Sequence, residues 1–281
     1  MAATEFDETM SNRPENWNAA AQALEQGHPA LVWRRLIADT ETPVGAAAKL
    51  IVPGRGDFLL ESVEGGEVRG RYSLLGLDPD LVFRAVGPAC EINRQWQVER
   101  QAFAPLAEDS LSALRGLVKA CHIDVPLELP PVLACLVGYF GYETSRLVEK
   151  LPRPPQSAPE LPDMLFVRPT LILVFDRLGD ELWCIAPVWP EGDAPARTLA
   201  GAGDRIDEAL RQLAAPVPPA VRLSDAEVPH ASPVMKAADY AGMVHAAKDY
   251  IEAGGIFPGG LAQRVTCPLP PPAFAPYRAP P

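Results

Sequence analysis

The chain has 281 residues, 48% of them hydrophobic and 22% charged, with a formal net charge of −11. That length allows one large domain or two smaller ones around a buried core, and the composition excludes disorder throughout. The acidic balance excludes a general nucleic-acid binder, which needs a basic face to displace counterions.

Residues 1–16 read as a mobile tail. The polar, acidic start "MAATEFDETMSNRPENWNAAAQ" is neither a signal peptide nor a transit peptide. No apolar run reaches the roughly 20 residues of a membrane-spanning helix, so a cytoplasmic protein without membrane contact is expected. "WNAAAQALEQGH" (17–28) predicts a helix stopped by its Gly, "ALVWRRLIAD" a strand and "TPVGAAAKLI" a short helix. "GDFLLESVE", "RGRYSLLGLDP" and "LVFRAVGPACEINRQWQV" predict successive strands punctuated by Gly-Gly, Asp-Pro and Gly-Pro turns. In "EDSLSALRGLVKAC" (108–121), Leu111, Leu114, Leu117, Val118 and Cys121 share one helical face, with Asp109 or Ser110 available as the cap.

"PPVLACLVGYFGYETSRLVE" reads as an apolar strand, a Gly-aromatic stretch and a helix. The five prolines of 151–163 make a loop. "PTLILVFDRLGDELWCIAPVW" is a hairpin about Leu178-Gly179-Asp180, and "GAGDRIDEALRQLAA" is a helix. Residues 216–234 have the composition of a linker. "DYAGMVHAAKDYIEAGG" places Tyr240, Met243, Val244, Ala247 and Ile251 on one helical face and ends at Gly254. Strands and helices without regular βα alternation predict an α+β fold.

The five cysteines (Cys90, Cys121, Cys135, Cys184, Cys267) are scattered, several in apolar runs, and read as reduced small hydrophobes. The four histidines show no metal spacing. "GRGDF" reads as a turn before a strand and not as an adhesion motif. No G-x-G-x-x-G entering a helix, G-x-S-x-G, H-E-x-x-H or Walker sequence occurs, so local chemistry offers no catalytic centre and no metal site.

One stretch departs from plain strand patterning. In "FLLESVEGGEVRGRYSLLGLDPDLVF" (58–83), Glu61 and Ser62 follow Leu59 and Leu60 directly, with Arg69 and Arg71 one short turn away. A carboxylate, a hydroxyl and a guanidinium together suit the two charged ends of a free amino acid. The same residues also fit a solvated hairpin end with weak surface ion pairs.

"LLES" with "RGRYSLLGLDP", then "TETPVGAAAKL", "VGYFGYETSRLVEKLP", "DMLFVRPTLILVFD" and "YAGMVHAAKDYIEAGGIFPGGLAQR" resemble the amino-terminal part of anthranilate synthase component I, over about residues 28–278. The resemblance implies an α+β fold of packed, mostly antiparallel sheets with outer helices. It implies that Leu60, Glu61 and Ser62, with Arg71, Tyr72 and Ser73 on the next strand, bind tryptophan as a feedback inhibitor. For the parent enzyme it implies conversion of chorismate and ammonia to anthranilate and pyruvate, with ammonia from a glutamine amidotransferase subunit and Mg²⁺ as cofactor. The catalytic residues and Mg²⁺ ligands would lie outside this sequence. Residues 17–215 then form the regulatory region, and 235–281 begin the catalytic domain. Aminodeoxychorismate synthase component I shares this architecture, and a stand-alone tryptophan-binding module is the third reading.

Near the end the resemblance weakens. Gly255, Pro258, Gly259, Gly260 and Val265 stand where the family has Asp, Gln, Val, Val and Phe, and eight of the 32 prolines fall in the last 24 residues. Proline and glycine there oppose the buried strand that the family pattern implies. A truncated or altered form of a longer protein, inactive by itself, is the expectation.

Overall fold

The computed structural model describes residues 13–61, 70–151, 161–191, 194–218, 231–255, 260–268 and 274–277. The chain divides into two compact units, Met1–Pro218 and Pro219–Pro281. Among the described residues, the first unit is built on two five-stranded sheets in which every strand pair is antiparallel.

The first sheet contains β1 (Ala30–Ile37), β2 (Phe58–Glu61), β3 (Tyr72–Leu77), β9 (Leu171–Asp176) and β10 (Glu181–Val188), in the order β1-β10-β9-β3-β2. The second contains β4 (Leu81–Val86), β5 (Ala89–Asn93), β6 (Ala104–Pro105), β7 (Val137–Phe140) and β8 (Met164–Arg168), in the order β6-β5-β4-β8-β7. The hairpin expected at 178–180 joins β9 to β10, and Asp180 takes the left-handed φ of 49° that its turn requires. Alternation then sorts the side chains by face. Leu74, Ile172, Val174 and Ile185 meet Leu81, Phe83, Ala85 and Met164 in the core between the sheets.

Helices α1 (Trp17–Glu25), α2 (Pro43–Leu50) and α4 (Pro195–Leu213) pack on the first sheet. On α4, Leu199, Ala202, Ile206, Ala209 and Leu213 recur at three- and four-residue spacing, and all are buried. Burial of each such Leu or Ile contributes about 1.5–3 kcal/mol. Helix α3 (Ser110–Ala120) packs on β4 and β5, and its cap is Asp109, whose carboxylate accepts from Leu111 N (3.2 Å) and Ser112 N (3.1 Å).

Both crossings between the sheets lie at one corner and are laced together there. Asp80 N–H donates to the Arg168 carbonyl (3.1 Å), and Thr170 Oγ1 donates to the Asp78 carbonyl (2.8 Å). The Arg168 guanidinium, 6% exposed, grips Asp80 through Nε (2.8 Å) and Nη2 (3.0 Å) and covers the Trp189 ring at 4.5 Å. A guanidinium so deeply buried is tolerable only because it is paired in a fork geometry.

Four expectations change. The end of the expected tail is docked, since Glu15 pairs with Trp33 (N to O 2.7 Å) and Pro14 is buried. The strand expected in 131–136 begins only at Val137: Pro130 and Pro131 supply no donors to a ladder, and Gly138 lets the chain approach β8. A Cβ at Gly138 would lie 2.0 Å from the Leu165 carbonyl oxygen. The helix expected after it is a short 3₁₀ segment, Tyr142–Leu147. Helix α4 starts six residues before the expected Gly201, with Pro195 in its first turn.

All five cysteines are free, and burial pushes the Cys135 and Cys184 thiols up to about 12, so neither reacts readily. In the "GRGDF" turn, the Asp57 side chain is fully buried and bonded to Arg55 (2.8 Å), Val52 N (2.8 Å) and Asp78 N (2.8 Å). Its carboxylate anchors the turn and is closed to any adhesion partner.

The second unit holds β11 (Ser232–Pro233) paired with β12 (Val265–Thr266), α5 (Ala237–Glu252) and a turn of helix, α6 (Phe274–Tyr277). Helix α5 ends as its sequence predicts. Gly254 sits at φ 70°, and Gly255 N reaches the Tyr250 carbonyl (2.8 Å) while Gly254 N reaches that of Ile251 (3.0 Å). No α5 residue is fully buried, and Tyr240, Met243, Val244 and Ala247 are half-buried. Most of the linker expected at 216–234, and the stretch 256–259 that carries Pro258 and Gly259, lie outside the described residues. No described helix is long and apolar enough to cross a membrane.

Candidate functional site

Away from the laced corner, toward the start of β3, a cleft of about 580 Å³ opens between the sheets. Its size is that of small-molecule sites. From the first sheet, Leu60 and Glu61 of β2 and Tyr72 and Leu74 of β3 line it, with Arg71 just ahead of β3. From the other side come Val132, Ala134, Leu136, Val137, Gly138 and Phe166.

The β2–β3 register explains which residues meet. Leu60 lies opposite Leu74, and Glu61 lies opposite Ser73. Leu60 and Leu74 therefore share the face turned to the second sheet, together with Tyr72 two residues before Leu74. Leu60 stays 48% exposed, an apolar side chain held at the mouth of the cleft. Phe166 packs edge-on to Phe140 with ring centroids 5.1 Å apart, which steadies the opposite wall.

The charged end of the cleft is organised by two adjacent residues at the end of β9. Arg71 donates from Nε to Asp176 Oδ1 (2.8 Å) and from Nη2 to Oδ2 (2.5 Å), and its guanidinium covers the Tyr72 ring at 4.8 Å. Arg177 faces Glu61 at 3.7 Å. The hydrogen bonds from Arg71 hold the Asp176 carboxyl below its usual range, and the same bonds raise the Arg71 guanidinium. Both groups are charged at neutral pH. One end of the cleft wall thus carries the Arg71 guanidinium and the Glu61 carboxylate, each paired with a residue that does not line it, and the rest of the wall is mostly apolar.

Of the seven residues singled out from the sequence, Leu60, Glu61, Arg71 and Tyr72 come together in the cleft wall. Ser73 does not line it. Its hydroxyl is fully buried, on the face of β3 away from Leu74, and makes no hydrogen bond among the described residues. Ser62 and Arg69 lie outside the described residues. The cleft wall also includes residues that sequence reasoning missed: Val132, Ala134, Leu136, Val137 and Gly138 read only as a strand and Phe166 only as core. Asp176 and Arg177 carried no signal beyond their place before a turn. Among the described residues, no group of three or more His, Cys, Asp or Glu side chains comes together to hold a metal.

Two packed antiparallel sheets, outer helices and a cleft with a polar end and apolar walls define an α+β domain with a candidate small-molecule site. The profile of the chorismate binding enzyme family matches residues 57–279, and the chain belongs to that family. It is similar to anthranilate synthase component 1 of Cereibacter sphaeroides, with 40% identity over 256 residues, 90% of this chain and 51% of that protein. It is similar also to the component of the same name from Thermus thermophilus, with 36% identity over 248 residues, 88% of this chain and 49% of that protein. The crystal structure of anthranilate synthase component I from Streptococcus pneumoniae TIGR4 shares the fold. Its TM-score is 0.50 at 20% identity, over 79% of this chain and 46% of that one. The chain spans about half the length of the curated relatives it matches.

Proposed function

We propose that this chain is the regulatory part of an anthranilate synthase component I, and that the cleft between its sheets takes free tryptophan. The observation that supports this reading is the cleft itself, which joins both signs of charge to an apolar slot on the hairpin bearing "LLES". A tryptophan ammonium group would meet Glu61. Its carboxylate would meet the Arg71 nitrogen that Asp176 leaves unused, since a guanidinium has five donors and the pair with Asp176 uses two. The indole would lie between Leu60 and Tyr72 on one side and Leu136, Val137 and Phe166 on the other.

The complete enzyme, in this reading, converts chorismate and ammonia to anthranilate and pyruvate. Ammonia comes from a glutamine amidotransferase subunit, and Mg²⁺ would assist by neutralising the carboxylates of chorismate. The described residues do not fit that ion, since they bring no ligand set together. In this reading, no catalytic step is assigned to the described side chains.

Ligand-observed NMR with L-tryptophan tests the regulatory reading. Each contact is worth on the order of 1 kcal/mol, and an open cleft makes few of them, so affinity in the mM range is expected. Tyr72→Ala and Leu60→Asp should both abolish the signal, the second because it sets a charge at an apolar mouth. Wild-type protein that shows no saturable binding, or variants that bind like wild type, would remove the basis for a tryptophan site here.

A further inference from the structure

A second cavity lies at the corner where the sheets are laced, on the helix-covered side of the first sheet and away from the tryptophan cleft. Its volume is about 240 Å³, below the usual range for drug-sized ligands and room for about eight water molecules. The floor is apolar: Leu50, Leu77, Leu171 and Ala209 are each at most 4% exposed. Arg55, Asp78, Asp204, Arg205, Glu208 and Gln212 form the walls and rim.

Most of these polar groups are already committed. Arg55 is held by Asp57 and by the Leu50 carbonyl (2.9 Å), and Glu208 by Gln212 (2.5 Å) and Arg211. Arg205 is different. Among the described residues its single hydrogen bond is a long one, Nε to the Thr170 carbonyl at 3.3 Å, and no carboxylate lies within ion-pair distance of it. Its terminal nitrogens are left without an acceptor beside the cavity. Burial pulls its pKa down, and Asp78, Asp80 and Asp204 oppose that shift only at a distance. A half-buried guanidinium without a close anion is an unusual arrangement, because the cost of removing it from water is not returned by a partner. Two carboxylates stand on the same walls without a described cation in contact. Asp78 is half-buried, its Oδ2 accepts from Gln97 Nε2 (2.8 Å) and leaves Oδ1 for a ligand, and burial raises its pKa. Asp204 is exposed and makes no hydrogen bond among the described residues.

An incoming anion alone would be repelled by Asp78 and Asp204, and an incoming cation alone by Arg205. A ligand carrying both charges satisfies all three, and the apolar floor selects the remainder. We infer that this cavity is a second ligand site, for a free aliphatic α-amino acid of about valine to leucine size. Its carboxylate would lie on Arg205, its ammonium group toward Asp78 and Asp204, and its side chain over Leu50, Leu77 and Leu171. The inference rests on this cavity alone and is independent of the tryptophan reading.

The test is ligand-observed NMR on the whole chain with L-valine and L-leucine, alongside their N-acetyl and carboxamide derivatives. Saturable binding of the free amino acids is expected below about 10 mM. Blocking either end should weaken it by at least about tenfold, because each blocked end leaves a charged protein group unpaired. Arg205→Gln should weaken it by a similar factor, and Asp204→Asn should do so less. Asp204 is exposed, so that variant remains informative if Arg205→Gln does not fold. Tyr72→Ala, in the other cleft, should leave valine and leucine binding unchanged. The inference is overturned by an absence of saturable binding, by derivatives that bind as well as the free amino acids, or by loss of binding in Tyr72→Ala alone.

Discussion

Ser73 and Tyr72 are neighbours in sequence with opposite fates, because consecutive strand residues face opposite ways. Tyr72 reaches the cleft, while the Ser73 hydroxyl is buried without a partner among the described residues. An unpaired buried hydroxyl costs about 1–3 kcal/mol. Ser73→Ala should therefore raise stability by about 1 kcal/mol in urea denaturation, within that range, and leave tryptophan binding as it is. A loss of binding would place Ser73 in the ligand's path after all. Asp176 makes the second prediction at this scale. Its pKa in the folded protein lies below the unfolded value of about 3.9, so the Arg71 pair adds stability above that pH. The contribution drains away as pH falls through the folded pKa. Asp176→Asn, which cannot ionise, should be less stable than wild type at neutral pH, and the gap should close in acid. Urea midpoints for both proteins across this range check it, and a gap independent of pH would mean that the pair contributes nothing through ionisation.

At the scale of elements, the strand that closes the cleft depends on one missing side chain. Strand β7 is an edge strand paired only with β8, and it lies close enough that a Cβ at Gly138 would overlap the Leu165 carbonyl oxygen. Gly138→Ala should cost about 1–3 kcal/mol, as overpacked sites do, and should weaken ligand binding because Gly138 lines the cleft. Gly116→Ala is the control. Gly116 lies inside α3, where a Cβ would meet nothing within 4 Å, so alanine there should add up to about 1 kcal/mol through helix propensity. Equal effects at the two sites would mean that close approach of β7 to β8 is not what Gly138 provides. Two helix ends were legible at this scale. Asp109 and Gly254 cap α3 and α5 as their sequences imply, because a cap is a contact between residues two to five apart. The start of β7 was not legible, because it is set by what β8 presents to it.

For the whole molecule, the decisive fact is coverage: the chain matches the chorismate binding enzyme family over 57–279 and spans about half the length of its curated relatives. We propose further that this chain, spanning about half the length of its curated relatives, is inactive by itself. Purified chain given chorismate, Mg²⁺ and ammonia should produce no anthranilate fluorescence. Turnover by the pure protein would show that the catalytic groups lie within it.

The sequence by itself determined the α+β class, most of the strands and helices, the family, and the hairpin on which the cleft is built. Each of these is written in local periodicity, in turn and cap residues, or in motifs a few residues long. Only the tertiary structure decided that Tyr72 and Ser73 part company, that Phe166 joins Val132, Ala134 and Leu136 to Gly138 in the other wall, and that Asp176 and Arg177 organise the charges. It alone brought Arg205 on α4 beside Asp78 at the end of β3. These pairings join segments far apart in the chain, and their contacts follow from sheet register and from the packing of two layers. Neither leaves a trace in the residues on one side alone.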